Sequence, residues 1–217
     1  MPKADYQAAR QSMIDSQLRT SGVNEPWVME AMGALPREDF VPKERASICY
    51  MDRSVPLGEG RMLNPAVATG MMLTEAEPDI GDNILLIGAA TGYVASLLAS
   101  RCKTLVALEQ NSAFAKSAKA ALKQFGNAEL VSGPLTDGYS KAAPYSLIWI
   151  DGAIEEIPEA ISNQLTEGGR VVTGLVDGPV TRLAMGIKMR GELVLRPFSD
   201  GEIAPLSGFA KIKEFAF

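Results

Sequence analysis

The stretch 83–93 constrains the fold more than any other part of this sequence, and it reads Asn-Ile-Leu-Leu-Ile-Gly-Ala-Ala-Thr-Gly-Tyr. Residues 84–87 form an unbroken apolar run, which is typical of a strand buried on both faces of a parallel sheet. Gly88 and Gly92 end that run, and residues 94–99 continue with helix-forming residues at helical spacing. A strand, a glycine-containing turn and a helix in this order predict an α/β fold in which a ligand contacts the turn and the start of the helix.

An acidic residue follows the next apolar run. Residues 104–108 lead to Glu109, which lies 21 positions after Gly88. A carboxylate at the tip of a second strand can accept hydrogen bonds from both hydroxyls of a ribose, so the two features together predict an adenosine-type ligand. The alternative is that Gly88 and Gly92 only form a tight turn in an unrelated α/β protein.

The spacing of the glycines narrows the choice of ligand. A dinucleotide-binding turn has two further glycines where this chain has Ala90 and Tyr93, which provides poorly for a pyrophosphate. A P-loop is excluded because no Gly-Lys-Ser or Gly-Lys-Thr follows the first glycine. A Gly-x-x-x-Gly turn followed by an acidic strand end favours S-adenosylmethionine, which has no phosphates. A nicotinamide enzyme is the weaker alternative.

The composition argues against several classes of function. A net charge of −5 without a cluster of Lys and Arg argues against a nucleic-acid groove. No apolar stretch approaches the ~18 residues that cross a membrane, and the polar start of the chain does not resemble a signal peptide. Cys49 and Cys102 are expected to be reduced thiols, so we expect a cytoplasmic protein.

The sequence contains no histidine. This absence excludes Ser-His-Asp and Cys-His catalysis and His-ligated metals, and we expect no metal site. Methyl transfer to a carboxylate stays compatible with the composition, because a carboxylate with a pKa of about 4 is already ionised at neutral pH and needs no general base. Such a reaction requires mainly that the reacting atoms are held in line.

The order of predicted elements divides the chain into an N-terminal extension, 1–78, and a core, 79–217, which together are expected to form a single domain. In the extension, helices are predicted at 4–20, from Pro26 onward and at 66–76, with a loop-rich stretch before the last of them. We expect this extension to pack on one end of the sheet.

Strands and helices alternate in the core, which predicts right-handed crossovers and a parallel sheet. The predicted parallel strands are 84–88, 104–109, 128–131, 146–150 and 170–175, and further helices are predicted at 113–125 and 157–165. Residues 192–197 and 208–217 are expected to pair as a C-terminal antiparallel hairpin. The predicted fold is therefore α/β, a Rossmann-like and mostly parallel seven-stranded sheet of the class I S-adenosylmethionine-dependent methyltransferase type.

Several segments spread along the chain carry a family resemblance. They are 13–18, 28–32, 35–42, 50–52, 56–58, 87–93, 143–145, 165–169 and 204–206. The combination of Pro-Arg-Glu and Phe-Val-Pro ahead of the glycine turn is fairly specific. The chain resembles the protein-L-isoaspartate (D-aspartate) O-methyltransferase family. The resemblance implies an enzyme that uses S-adenosylmethionine to esterify the α-carboxyl of isoaspartyl residues in damaged proteins, with S-adenosylhomocysteine as product and an isoaspartyl peptide or protein as partner.

The resemblance also implies which residues form the site. The cofactor-binding residues it indicates are Gly88, Ala89, Ala90, Thr91, Gly92, Tyr93, Glu109, Gln110, Leu135 and Asp151. The substrate-binding residues it indicates are Arg61, Leu63, Asn64 and Pro65, of which Asn64 is the candidate catalytic residue. No metal is implied.

Some residues depart from the family pattern at this site. Leu63 stands where the family has a serine at the substrate carboxyl, and Leu86 stands where it has an acid. Ala90 replaces the middle glycine, and the aspartate after the third strand is displaced to Asp137. One explanation is that Asn64 and Thr91, together with Asp137 or Asp151, supply the missing polar contacts. The other is that the chain is a divergent relative that methylates another carboxylate or binds the cofactor without turnover.

Overall fold

The computed structural model describes residues 5–211, and the first part of it is a helical extension with one small hairpin. Helix α1 (Tyr6–Met13) is capped by the Asp5 carboxylate and continues through a π-helical turn. Helix α2 (Pro26–Ala34) starts with a proline, as predicted. The antiparallel strands β1 (Val55–Gly58) and β2 (Arg61–Leu63) follow, and helix α3 (Ala66–Ala76) confirms the third predicted helix.

A seven-stranded sheet forms the core. The remaining elements are β3 (Asn83–Ile87), α4 (Tyr93–Ala99), β4 (Thr104–Glu109), α5 (Ser112–Leu122), β5 (Ala128–Ser132), β6 (Tyr145–Ile154), α6 (Glu159–Ser162), β7 (Leu165–Asp177), β8 (Val180–Met189) and β9 (Glu192–Asp200). The strand order is β5-β4-β3-β6-β7-β8-β9. Strands β3 to β7 pair in parallel, and β8 and β9 are antiparallel, which confirms the predicted seven-stranded architecture.

The C-terminal hairpin differs from the prediction. Its strands are β8 and β9, so the prediction missed β8 and was wrong to place a strand from residue 208, because residues 208–211 are not in a strand. Residues 212–217 of that prediction lie outside the described residues. The sequence of β8 does alternate, with Leu183 and Met185 on one face, but Thr181 and Arg182 obscure the pattern at its start. The predicted helix 157–165 is also shorter, since α6 begins after Pro158 and ends at Ser162, and β7 already begins at Leu165.

Alternate side chains of β3 enter two hydrophobic cores, one on each face of the sheet. Leu86 belongs to the larger core, with Trp149 and apolar residues from the N-terminal extension. Leu85 and Ile87 belong to the smaller core, on the opposite face. The extension therefore covers a face of the sheet, whereas the sequence predicted that it packs on one end. Its hairpin β1–β2 reaches the carboxyl ends of the parallel strands.

Candidate functional site

Glu109 lies at the carboxyl end of β4 and is 0% exposed. Its carboxylate accepts hydrogen bonds from two backbone N–H groups, that of Ala90 at 2.7 Å and that of Asn111 at 2.9 Å. Ala90 reaches this position with φ +46°, a left-handed conformation that costs an alanine about 1 kcal/mol. The glycine turn and the acid predicted to lie beside it are therefore in direct contact.

Arg61, at the start of β2, completes the surroundings of Glu109. Its Nη1 lies 3.1 Å from Oε2 and 3.3 Å from Oε1 of the carboxylate. Its Nη2 donates to the Gly88 carbonyl at 2.9 Å. A β-carbon at position 88 would lie only 3.0 Å from this Nη2, so the close approach of the guanidinium depends on the glycine.

Asp151 and Asn64 form a second buried polar pair, at the carboxyl side of β6. Asn64 Nδ2 donates to Asp151 Oδ1 at 2.9 Å, and Asn64 Oδ1 accepts from the Ala204 N–H at 3.1 Å. Burial raises the pKa of the Asp151 carboxyl to about 6, while the charge of Arg61 and the Asn64 hydrogen bond lower it less strongly. The predicted catalytic amide thus joins β6 to the C-terminal segment.

A buried arginine that the sequence analysis did not single out supports this pair. Arg37 is 0% exposed, and its guanidinium donates to the carbonyl of Cys49 at 2.9 Å and to that of Asn64 at 2.8 Å. The same guanidinium lies 4.8 Å from the centre of the Tyr93 ring. The signal available in the sequence was the Pro-Arg-Glu motif of the 35–42 segment that carries the family resemblance, but Arg37 is followed there by Glu38 and Asp39 and looks like part of an exposed charged run.

The other predicted site residues do not all lie beside Glu109 or Asp151. Thr91 donates to the Phe40 carbonyl at 2.7 Å and lines a groove of about 840 Å³ between segment 35–42 and α5, which neither Gly88 nor Glu109 lines. Gly92 allows α4 to approach α5, because a β-carbon there would lie 2.9 Å from Ala118 Cα. The buried predicted residues are Ala89, Tyr93, Leu63, Pro65 and Leu135, whereas Gln110 is exposed.

Residues 5–211 carry neither a metal-binding cluster nor a membrane-spanning helix. This part of the chain has no group of three or more His, Cys, Asp or Glu residues arranged to hold a metal ion. None of its helices combines the length and the apolar character required to cross a bilayer.

Comparison with known proteins decides the family. The model of the family described as protein-L-isoaspartate(D-aspartate) O-methyltransferase matches residues 8–194. The chain belongs to this family. Among curated relatives, the protein-L-isoaspartate O-methyltransferase of Methanoculleus marisnigri is 33% identical over 92% of this chain and 91% of its own. That of Methylorubrum populi is 35% identical over 76% and 78% of the two chains.

Solved structures share the fold of this protein-L-isoaspartate O-methyltransferase family member. A protein-L-isoaspartate O-methyltransferase superposes with a TM-score of 0.77 at 22% identity, over 92% of this chain and 66% of its own. A Plasmodium falciparum protein described as a putative member, in complex with S-adenosyl-L-homocysteine, gives a TM-score of 0.77 at 14% identity over 94% and 99% of the two chains. At sequence identities of 22% and 14%, this structural similarity shows a shared fold alone.

The residues beside the glycine turn include the carboxylate that the predicted adenosyl ligand needs, but in this conformation they are closed to solvent. Ala89, Ala90, Tyr93, Glu109 and Leu135 are all at most 4% exposed. The Arg61 guanidinium covers the Glu109 carboxylate, so the predicted contact of a ribose with Glu109 would require Arg61 to move.

The burial of Asp151 in this family member predicts a pH-dependent stability. Because its pKa is raised from an ordinary 3.8 to about 6, the stability that its protonated form contributes is present below pH 3.8 and is lost as the pH rises through 6. We expect the free energy of unfolding of Asp151→Asn, relative to that of the wild type, to rise by roughly 3 kcal/mol between pH 4 and pH 7. Urea unfolding at several pH values measures this difference.

The matched control for this prediction is Asp200→Asn, since the Asp200 side chain is 92% exposed. Its effect on the free energy of unfolding should stay within about 0.5 kcal/mol across the same pH range. A constant difference between wild type and Asp151→Asn from pH 4 to pH 8 would contradict the raised pKa of Asp151.

Proposed function

We propose that this protein transfers the methyl group of S-adenosylmethionine to the α-carboxyl group of L-isoaspartyl residues in damaged proteins, as the first step of their repair. The observation that carries this proposal is the family match over residues 8–194. Curated relatives with this activity in their names are 33% and 35% identical to it. The cofactor is S-adenosylmethionine, the product is S-adenosylhomocysteine, and the partners are isoaspartyl peptides or proteins.

The residues of the site supply chemistry suited to this reaction. Glu109 stands at the end of β4 beside the glycine turn, where a carboxylate is placed to accept from ribose hydroxyls. The acceptor is itself a carboxylate and is ionised at neutral pH, which agrees with a sequence without histidine. We assign the recognition of that carboxylate to Arg61 and Asn64, because both carry N–H donors next to the hairpin β1–β2.

A second candidate function is a divergent family member that binds the cofactor but methylates another carboxylate or does not catalyse transfer. Two observations favour it. Leu63 and Leu86, which stand where the family resemblance expects polar side chains, are 4% and 0% exposed within the larger hydrophobic core. Glu109, in addition, is already paired with Arg61.

Methyl transfer from radiolabelled S-adenosylmethionine to an isoaspartyl peptide tests the proposal. We expect incorporation of a base-labile methyl ester that increases with enzyme concentration, because carboxyl esters hydrolyse to methanol. The matched control is the same peptide with ordinary aspartate, which should not be labelled. Binding of S-adenosylhomocysteine without transfer to the isoaspartyl peptide would support the second candidate, and the absence of both binding and transfer would contradict both candidates.

We also propose that the protein acts in the cytoplasm. Cys49 and Cys102 are both buried free thiols in the structure, which suits a reducing compartment. Burial raises the pKa of each thiol to about 11, so neither is poised to react as a thiolate at neutral pH.

A further inference from the structure

The carboxylate of Glu109 has all of its acceptor positions in use. Oε1 accepts from the Asn111 N–H at 2.9 Å and lies 3.3 Å from Arg61 Nη1. Oε2 accepts from the Ala90 N–H at 2.7 Å and lies 3.1 Å from the same Nη1. A carboxylate offers about four lone-pair positions, so a ribose hydroxyl can bind Glu109 only if one of these donors leaves.

The donors differ in how easily they can leave. The N–H groups of Ala90 and Asn111 belong to the backbone of the glycine turn and of the residue that caps α5. Arg61 is a long side chain on a three-residue strand, and its hairpin turns through the exposed residues Glu59 and Gly60. Its guanidinium is therefore the group that a ribose would replace on Glu109.

We infer that Arg61 competes with the ribose of the cofactor for Glu109, and that it thereby sets the affinity of this protein for adenosyl ligands. The inference rests on the proposed function. A ribose is neutral, so it does not neutralise the buried carboxylate that loses the guanidinium. Binding must also break the hydrogen bond from Arg61 to the Gly88 carbonyl. Both losses weaken the binding of the cofactor to the wild-type protein.

Calorimetric titration with S-adenosylhomocysteine tests the inference with a readout other than activity. In Arg61→Gln the shorter, uncharged side chain cannot hold Glu109 and the Gly88 carbonyl together. We expect the variant to bind S-adenosylhomocysteine roughly 10- to 100-fold more tightly than the wild type, the range that corresponds to the net value of one charge-assisted hydrogen bond. Circular dichroism verifies that the variant is folded.

Arg170→Gln is the matched control, because Arg170 forms an ion pair with Asp82 at 2.7 Å, near the amino ends of β3 and β6. Its dissociation constant for S-adenosylhomocysteine should equal that of the wild type. If Arg61→Gln does not fold, Arg61→Lys replaces it, since an ammonium group cannot span both acceptors and should give an intermediate gain.

The possible outcomes separate this inference from the proposed function. Equal or weaker binding by Arg61→Gln, together with methyl transfer by the wild type, would overturn the role of Arg61 and leave the function standing. If neither the wild type nor the variant binds S-adenosylhomocysteine, both the function and the inference are refuted. Tighter binding by Arg61→Gln and unchanged binding by Arg170→Gln establish the competition.

Discussion

Arg37→Met is expected to lower the free energy of unfolding by about 2–6 kcal/mol. The guanidinium is buried and donates to two backbone carbonyls, those of Cys49 and Asn64. Methionine fills much of the volume but donates no hydrogen bond, so two buried acceptors lose their partner at about 1–3 kcal/mol each. The stacking of the guanidinium on the Tyr93 ring is lost as well. Urea unfolding followed by circular dichroism measures the change.

Arg45→Met is the matched control for Arg37→Met, because Arg45 lies in the same N-terminal extension and is exposed. Its effect should stay within about 0.5 kcal/mol. A similar small effect for Arg37→Met would show that the two carbonyls find other donors, and would remove Arg37 from the support of Asn64.

Leu86→Glu is expected to destabilise the protein by about 3–5 kcal/mol at neutral pH, although it restores the acid that the family resemblance places there. Leu86 is 0% exposed, and its register neighbours on the adjacent strands are Ala107 and Trp149. A carboxylate in this apolar core has to be buried as an unpaired charge or be protonated, and either costs several kcal/mol. The loss should be smaller at pH 5 than at pH 8, as measured by urea unfolding.

Leu86→Met tests whether the loss in Leu86→Glu comes from charge or from shape. Methionine has a similar volume and no polar group, so its cost should stay below about 1.5 kcal/mol. A stable Leu86→Glu variant would mean that a cation of the chain reaches position 86, and it would reopen this position as a site for the amino end of the cofactor.

Much of the fold could be predicted because buried parallel strands have a plain local signal. The runs that became β3 and β4 are unbroken and apolar, and glycines or an acid mark their ends. Strand β8 has one face on the larger core and an alternating pattern, which is weaker evidence in a single sequence. Strand β8 was therefore missed, and the partner of the predicted strand 192–197 was placed at 208–217 instead.

The sequence predicted the contact between Glu109 and the glycine turn, but not the contacts that distant residues make with this site. The sequence spacing indicated that Glu109 lies beside the glycine turn, and the structure confirms that contact. No local pattern relates Arg61 to Glu109, because the two residues are 48 positions apart and meet only through the packing of a hairpin on the sheet. The same holds for Arg37, whose partners are carbonyls that carry no sequence signal.

The side-chain amide of Asn64 hydrogen-bonds to two parts of the chain that are far apart in sequence, Asp151 and the backbone of Ala204, the latter 140 positions away. Such a contact joins residues that are far apart in sequence, so the chain loses conformational entropy in closing a long loop before the contact can form. The hydrogen bonds of Asn64 are therefore complete only after the segment around residue 204 has packed against the sheet. During synthesis on the ribosome, this part of the candidate site can form only after the C-terminal segment has been made.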